Sequence, residues 1–194
     1  MSIIGFHERK EMQWGMGHPK KPRRIKIGIV VKKFAIVMFS NYGSTCDMKA
    51  VLQRVKSSRV EVAGRIVGQI DHGWLVLLGI GKGDTQDVAQ NVADRCVQLR
   101  GFSDDQGKMN LSVQDVGGSI LIVSQFTLYA DCNRGRRPSF DSAAPPAVAN
   151  ELYDYFCVCI RSTGIPVSKG VFQADMQVIL TNDGPVTLII EKSA

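Results

Sequence analysis

Two uninterrupted apolar runs set the limits on what this chain can fold into. Trp74-Leu75-Val76-Leu77-Leu78-Gly79-Ile80 has no polar side chain, and Ile120-Leu121-Ile122-Val123 repeats the pattern over a shorter stretch. Both are far too short to cross a bilayer, so they read as strands. A strand without polar alternation is covered on both faces, which makes these the centre of a layered sheet. A length of 194 residues allows one such domain with an appendage. A hydrophobic share of 44% against 22% charged residues can fill its core.

The rest of the pattern is arranged around these runs. Ala50, Leu52 and Val55, then Val60 and Val62, read as strand material, and residues 60–68 alternate about Gly64 as a hairpin does. His72-Gly73 is a turn. Asp84 is placed to cap a helix over residues 84–100, with Val88, Val92, Cys96 and Leu99 in one apolar stripe. Asp104 to Lys108 reads as a turn, and Gly117-Gly118 as a break before the second apolar run. Pro145-Pro146 can open a second helix that Gly164 ends, with Val148, Leu152, Tyr155, Cys159 and Ile160 facing inward. Two more strands, 173–180 and 186–191, flank Thr181-Asn182-Asp183-Gly184-Pro185. Strand-rich order with two segregated helices predicts an α+β layered domain.

Charge divides the chain in two. Residues 1–47 hold nine Lys/Arg and three Asp/Glu, while the later residues hold 15 of each, so the whole net charge of +6 lies in the first segment. Its apolar stretches are short and broken by lysines, a poor match to a membrane span or a secretory signal. Three readings fit this basic extension. It is an upstream translation with Met48 the true first residue, an organellar targeting segment, or a basic arm that adds nucleic-acid affinity. The body is expected to be a single domain over 48–194. Five cysteines without a CxxC pair suggest neither a disulfide framework nor a zinc site, and a cytoplasmic setting without membrane attachment follows.

The second apolar run leads into Ser124-Gln125-Phe126-Thr127-Leu128-Tyr129. This is either a continuing strand with Ser124, Phe126 and Leu128 on one face and Gln125, Thr127 and Tyr129 on the other, or an active-site lip. Conventional catalytic side chains are scarce. His72 is the one histidine after residue 47 and sits in a turn, and no serine or cysteine carries a nucleophile-elbow motif. Cys157 and Cys159 lie on the second helix as packing residues, and Asp104-Asp105 are explained by their turn. Without a Walker loop, a dinucleotide glycine pattern or a metal-ligand cluster, no cofactor is expected. An enzyme built this way would rely on positioning and on backbone N–H groups aimed at a developing oxyanion. Removing one such donor costs roughly 3–4 kcal/mol in measured cases. That is enough for a labile bond such as an aminoacyl ester.

Several motifs in order carry a resemblance. Leu52-Gln53-Arg54-Val55, Gly107-Lys108-Met109-Asn110, Ser124-Gln125-Phe126-Thr127-Leu128, Arg137-Pro138-Ser139-Phe140, Ala174-Asp175-Met176-Gln177-Val178 and Asn182-Asp183-Gly184-Pro185-Val186-Thr187 resemble the D-aminoacyl-tRNA deacylase family. The resemblance runs from Met48 to about Glu191 and places the family's start at Met48. It implies a β/β/α sandwich of mostly antiparallel strands with two main helices, working as a two-fold homodimer. The implied substrates are D-aminoacyl-tRNA and glycyl-tRNA. By the same resemblance, backbone N–H groups around Phe126 and Thr127 hold the substrate carbonyl, with Ser124 in the same segment. Gln125 fixes the terminal adenosine or the substrate amine, and Thr127 has a positioning role. The terminal 2′-hydroxyl of the tRNA assists the attack of water. Gly184-Pro185 enters the partner's pocket in the cis form and crowds out L side chains. Arg54 braces that loop through its carbonyls, and Phe172 and Met176 are pocket walls. The alternative is a non-enzymatic nucleic-acid-binding protein on the same scaffold. Two features depart from the family pattern. Gly101 stands where a branched apolar residue is usual, and the Arg134-Gly135-Arg136-Arg137 loop carries an additional arginine suited to phosphate.

Overall fold

The computed structural model describes residues 47–133 and 135–193. Arg134 and all of the basic segment 1–47 except Asp47 lie outside the described residues, and so do the three readings of that segment.

The chain opens with β1 (Asp47–Val62), β2 (Arg65–Ile70) and β3 (Gly73–Gly79). The β1–β2 turn is Ala63-Gly64, with φ of 49° and 75°, the left-handed pair that a two-residue hairpin needs. β2 and β3 pair with successive stretches of β1, from Val62↔Arg65 through Val55↔Gly73 to Lys49↔Gly79. Next come α1 (Gln86–Gln98), the short strands β4 (Phe102–Ser103) and β5 (Met109–Leu111), and β6 (Ser119–Ser124). A 3-10 helix (Phe126–Tyr129), α2 (Pro146–Ser162), β7 (Val167–Lys169) and β8 (Gln177–Ser193) complete the fold. The main sheet runs β2-β1-β3-β6-β7, with β8 on β1. Its β1 pairs are antiparallel, whereas β3–β6 and β6–β7 are parallel. The α+β class therefore holds, with a mixed sheet that is nearly closed like a barrel.

Both apolar runs sit at the centre of this sheet and serve two cores. Trp74, Val76, Leu78, Ile120 and Ile122 face the layer of α1 and α2, together with Met48, Ala50 and Leu52 from β1. Leu75, Leu121 and Val123 face the other way, with Val55, Val60 and Ile70, and Met176, Val178 and Leu180 pack against them. Burying each large apolar side chain contributes about 1.5–3 kcal/mol, so both layers hold the sheet.

Four elements differ from the sequence expectation. Thr85, not Asp84, caps α1: its Oγ1 accepts from the Val88 N–H at 3.3 Å, while Asp84 turns back to accept from the Gly81 N–H at 2.7 Å. The buried face of α2 centres on Tyr153 and Phe156, and Val148 is 45% exposed, because the helix packs on both α1 and β7. The two last strands are one, β8. From Gln53↔Thr187 to Val55↔Asn182, β1 advances two residues and β8 five, so residues 183–186 are pushed out of an otherwise continuous ladder. The polar stretch after β6 is no strand: it turns into the 3-10 helix.

Candidate active site

β6 ends where its polar residues begin. The Gln125 N–H still bonds the Leu78 carbonyl at 2.8 Å, and then the backbone leaves the ladder at φ −141°, ψ 76°. The Leu128 N–H returns to the Gln125 carbonyl at 3.2 Å. Between these two donors, the Phe126 and Thr127 N–H groups meet no acceptor among the described residues. They are the orphan donors of a helix start, left open at the protein surface. The turn can lie this close to β3 because of Gly79, where a Cβ would come within 3.1 Å of both Leu128 and Tyr129.

A cleft of about 510 Å³ opens beside this turn. Ser124, Gln125 and Phe126 line it together with Phe172, Met176 and Val178. The start of α2 adds Ala149, and the segment before it adds Ala143 and Ala144, held to the residue just after β3 by an Ala144 N–H to Ile80 carbonyl bond of 2.9 Å. No ionisable side chain is among the lining residues. Phe126 is 56% exposed and packs edge-on against Phe140, ring centres 5.0 Å apart. Thr127 is exposed and lies outside the lining, and its hydroxyl accepts from the Gln125 side-chain amide. That bond orients Gln125 at the lip and leaves Thr127 without a base beside it.

Of the remaining sequence candidates, Arg54, Gly184 and Pro185 also lie outside the cleft of their own chain. Gly184-Pro185 is a cis peptide, exposed on the bulge of β8. Gly184 has φ of 118°, and a Cβ there would meet the Val186 side chain at 2.8 Å. Arg54 braces the bulge, though not through its carbonyls. Its Nε forms an ion pair of 3.1 Å with Asp183, without hydrogen-bond alignment, and its Nη1 donates to the Gly101 carbonyl at 2.8 Å. Asn182 clamps the same bulge: its amide donates to the Val186 carbonyl at 3.2 Å, and its Oδ1 accepts from the Val186 N–H at 3.0 Å. The sequence reading missed the role of Asn182, and the signal that could have drawn attention to it is an asparagine placed just before a Gly-Pro turn. It also missed Gln173, which lines the cleft at φ 61°, and no feature of the sequence marks that position. The Gly101 departure is not in a strand. It lies under the Trp74 ring, where a Cβ would come within 2.4 Å.

The other titratable groups stay away from the cleft. His72 stacks edge-on with Phe102 at 5.1 Å. Burial pushes the Cys96 thiol up to about 12 and the Cys157 thiol up to about 11, so neither is a thiolate near neutral pH. Arg136 and Arg137 are exposed on a loop closed by paired backbone bonds between Asp131 and Ser139. Among the described residues no group of three or more His, Cys, Asp or Glu could hold a metal ion. No helix among them is long and apolar enough to cross a membrane.

An uncharged cleft with two open backbone donors at its lip is equipped to polarise a carbonyl rather than to move protons. Comparison with known proteins gives this class a family. The D-Tyr-tRNA(Tyr) deacylase family model matches residues 51–191, and the chain belongs to that family. A D-aminoacyl-tRNA deacylase of Pelobacter propionicus is 57% identical over 145 residues, 75% of this chain and 100% of its own. The enzyme of the same name from Geobacter sulfurreducens is 60% identical over 144 residues, covering 74% and 95%. Among solved structures, the c-Myc DNA unwinding element binding protein is 41% identical with a TM-score of 0.71, covering 75% of this chain and 99% of that one. A probable eukaryotic D-amino acid tRNA deacylase, 18% identical with a TM-score of 0.65 over 75% of this chain and 100% of its own, shares the fold.

Proposed function

We propose that this protein hydrolyses the ester of D-aminoacyl-tRNA, and of glycyl-tRNA, releasing the amino acid and the tRNA. The observation that carries the reading is the pair of N–H groups on Phe126 and Thr127, without partners among the described residues, beside a cleft whose described lining has no ionisable side chain. Water attacks the ester carbonyl and negative charge gathers on its oxygen. The two N–H groups stabilise that oxygen, and the C–O bond to the terminal ribose breaks. Among the described residues the cleft lining has no general base, so a proton of the attacking water passes, by way of the substrate's own vicinal 2′-hydroxyl, to the departing ribose oxygen. Gln125, oriented by Thr127, and Ser124 hold the ester in place, while Phe172 and Met176 wall the pocket.

Selection against L substrates is assigned to Gly184-Pro185 of a second copy of the chain. The pair is exposed and lies outside the lining of its own cleft, while Arg54, Asp183 and Asn182 hold it in shape. A rigid projection with nothing to act on in its own subunit suits a two-fold dimer in which each site borrows it. Residues 48–194 form the deacylase body in this reading. Turnover of D- and L-tyrosyl-tRNA tests it directly: hydrolysis of the D form alone is expected, and equal hydrolysis of both, or of neither, overturns it. Mixing a Gly184→Ala subunit with a Phe126→Pro subunit tests the shared site. Preference for the D form, lost in the Gly184→Ala dimer, should return in the mixed dimer, since its one cleft with an intact lip then receives an intact Gly184-Pro185.

A second reading has two observations behind it. The 41% identical solved relative is named as a DNA unwinding element binding protein, and residues 1–47 carry a net charge of +6. Non-enzymatic binding predicts salt-sensitive association with nucleic acid that disappears when residues 1–47 are removed, with no ester turnover.

A further inference from the structure

The 3-10 helix has a second face, turned toward the start of β1. There the Tyr129 hydroxyl donates to the Asp47 backbone carbonyl. Beside it lies Asp84, only 8% exposed. Asp84 Oδ2 accepts from the Gly81 N–H at 2.7 Å, but Oδ1 is buried and has no hydrogen-bond partner among the described residues. The Met48 N–H and the Tyr129 hydroxyl both face this carboxylate. Asp47 brings a second carboxylate, whose Oδ1 is likewise buried and unpartnered among the described residues. Burial first, and then repulsion from Asp47, push the Asp84 carboxyl up to about 6. The nearby cation, Lys49, is engaged elsewhere: it pairs with Glu191 at 3.6 Å and lies over the Tyr129 ring at 5.2 Å. Buried carboxylates are normally matched by a cation, and among the described residues neither the buried Asp84 nor the half-buried Asp47 beside it has one.

We propose that Asp84 is the counter-ion of a free α-amino group on Met48, so that the folded body is built to begin at that residue. In a chain starting there, the nitrogen that already faces Asp84 becomes an ammonium with three donors. The competing carboxylate of Asp47 is gone, and Tyr129, released from the Asp47 carbonyl, can donate to Asp84 instead. All three changes favour an ionised, fully paired Asp84. The Pelobacter propionicus relative aligns over 145 residues that are 100% of its own length, so the aligned part of this chain has the extent of that relative. Tyr129 belongs to the helix that begins with Phe126, so the first residue of the body and the lip of the cleft share one support.

The test compares the 194-residue chain with a chain beginning at Met48, each with and without Asp84→Asn. In the Met48 chain the substitution should lower the folding equilibrium constant by roughly tenfold or more, as expected for breaking a buried pair. In the full chain it should be neutral or stabilising. The α-amino group of the Met48 chain should resist acylation until well above its ordinary range, near 7.7–8.0, and Asp84→Asn should restore ordinary reactivity. In the full chain, Asp47→Asn should lower the Asp84 pKa, read by carboxyl-carbon NMR. Equal cost of Asp84→Asn in the two chains, ordinary amine reactivity, or a Met48 chain that does not fold overturns the proposal. So does an Asp84 pKa that ignores Asp47→Asn.

Discussion

Phe126 and Tyr129 stand at opposite ends of one 3-10 helix and face surroundings of opposite kind. Phe126 borders a cleft with no ionisable lining and two vacant backbone donors. Tyr129 borders a corner with the buried carboxylate of Asp84, the half-buried one of Asp47 and, among the described residues, no vacant cation. Donors without charge wait for a ligand whose charge appears only during reaction, which is the condition for favouring a transition state over a ground state. Charge without a counter-ion is a standing cost to the fold. The contrast teaches that a lack of catalytic side chains in the cleft is not a lack of polar design. The open polarity is in the backbone, and the titratable groups are kept on the far side of the turn.

The contrast is broken most directly by removing one vacant donor. Phe126→Pro deletes the N–H and little else of the backbone. Phe126 opens the helix, where proline is tolerated, and Gln125, at φ −141° and ψ 76°, is already outside the α region that proline disfavours for the residue before it. Turnover of D-tyrosyl-tRNA should fall by roughly 10²–10³, the scale of losing one oxyanion donor. Phe126→Ala keeps the N–H and loses only the ring, so it should retain most of kcat. Equal losses in the two variants would show that the ring, not the donor, matters.

The corner gives the next effect, and its sign follows from the raised Asp84 pKa. Folded Asp84 titrates near 6 against an ordinary value of 3.8, so between those values the folded chain binds more protons than the unfolded one. Stability of the full chain should therefore fall as pH rises through that window, by up to about 3 kcal/mol, and recover on acidification. Urea midpoints from pH 4 to 7 read the slope, and Asp84→Asn should flatten it. Over the same window kcat should show no titration from the cleft lining, which has no group to supply one. A kcat profile that follows Asp84 would mean that the two faces of the helix are not separate.

How far the sequence could be read follows the same division. The central strands were legible because burial on both faces leaves an unbroken apolar run, and β3 and β6 sit where those runs are. Ser124 to Phe126 and Met176 stand out by their motifs in the sequence, and they line one cleft together with Phe172. What could not be read depended on the third dimension. Two-fold alternation suits Ser124 to Tyr129 as well as a helical turn does, and the turn prevails because Gly79 lets it settle onto β3. The β8 segment around Gly184-Pro185 looked like a loop between strands, since a bulge and a loop share the same turn residues. Asp84 had the composition of a helix cap, and only the fold shows that Thr85 takes that role while Asp84 is drawn inward.

The outward bulge offers a smaller effect. Gly184→Ala places a methyl 2.8 Å from the Val186 side chain and 3.1 Å from the Arg54 guanidinium, at a φ of 118° that L residues rarely adopt. A stability loss of roughly 1–3 kcal/mol is expected by chemical denaturation. If the Gly-Pro pair screens substrates, the ratio of D- to L-tyrosyl-tRNA turnover should also drop. A folded variant with an unchanged ratio would reduce the bulge to an element of structure and leave the lip as the whole site.

The smallest effect bears on Thr127, the one hydroxyl in the lip helix placed as a nucleophile could be. It is exposed, outside the cleft lining, and its oxygen accepts from the Gln125 amide. Thr127→Val removes that acceptor while preserving shape and the backbone N–H. If Thr127 only orients Gln125, one neutral hydrogen bond is lost, worth about 0.5–1.5 kcal/mol. That corresponds to a rise in KM of roughly two- to tenfold with kcat little changed, the mark of lost ground-state binding. A nucleophile would behave otherwise, since its removal abolishes the covalent route and lowers kcat by orders of magnitude. The KM-against-kcat split in Thr127→Val therefore decides whether the lip works through its backbone alone.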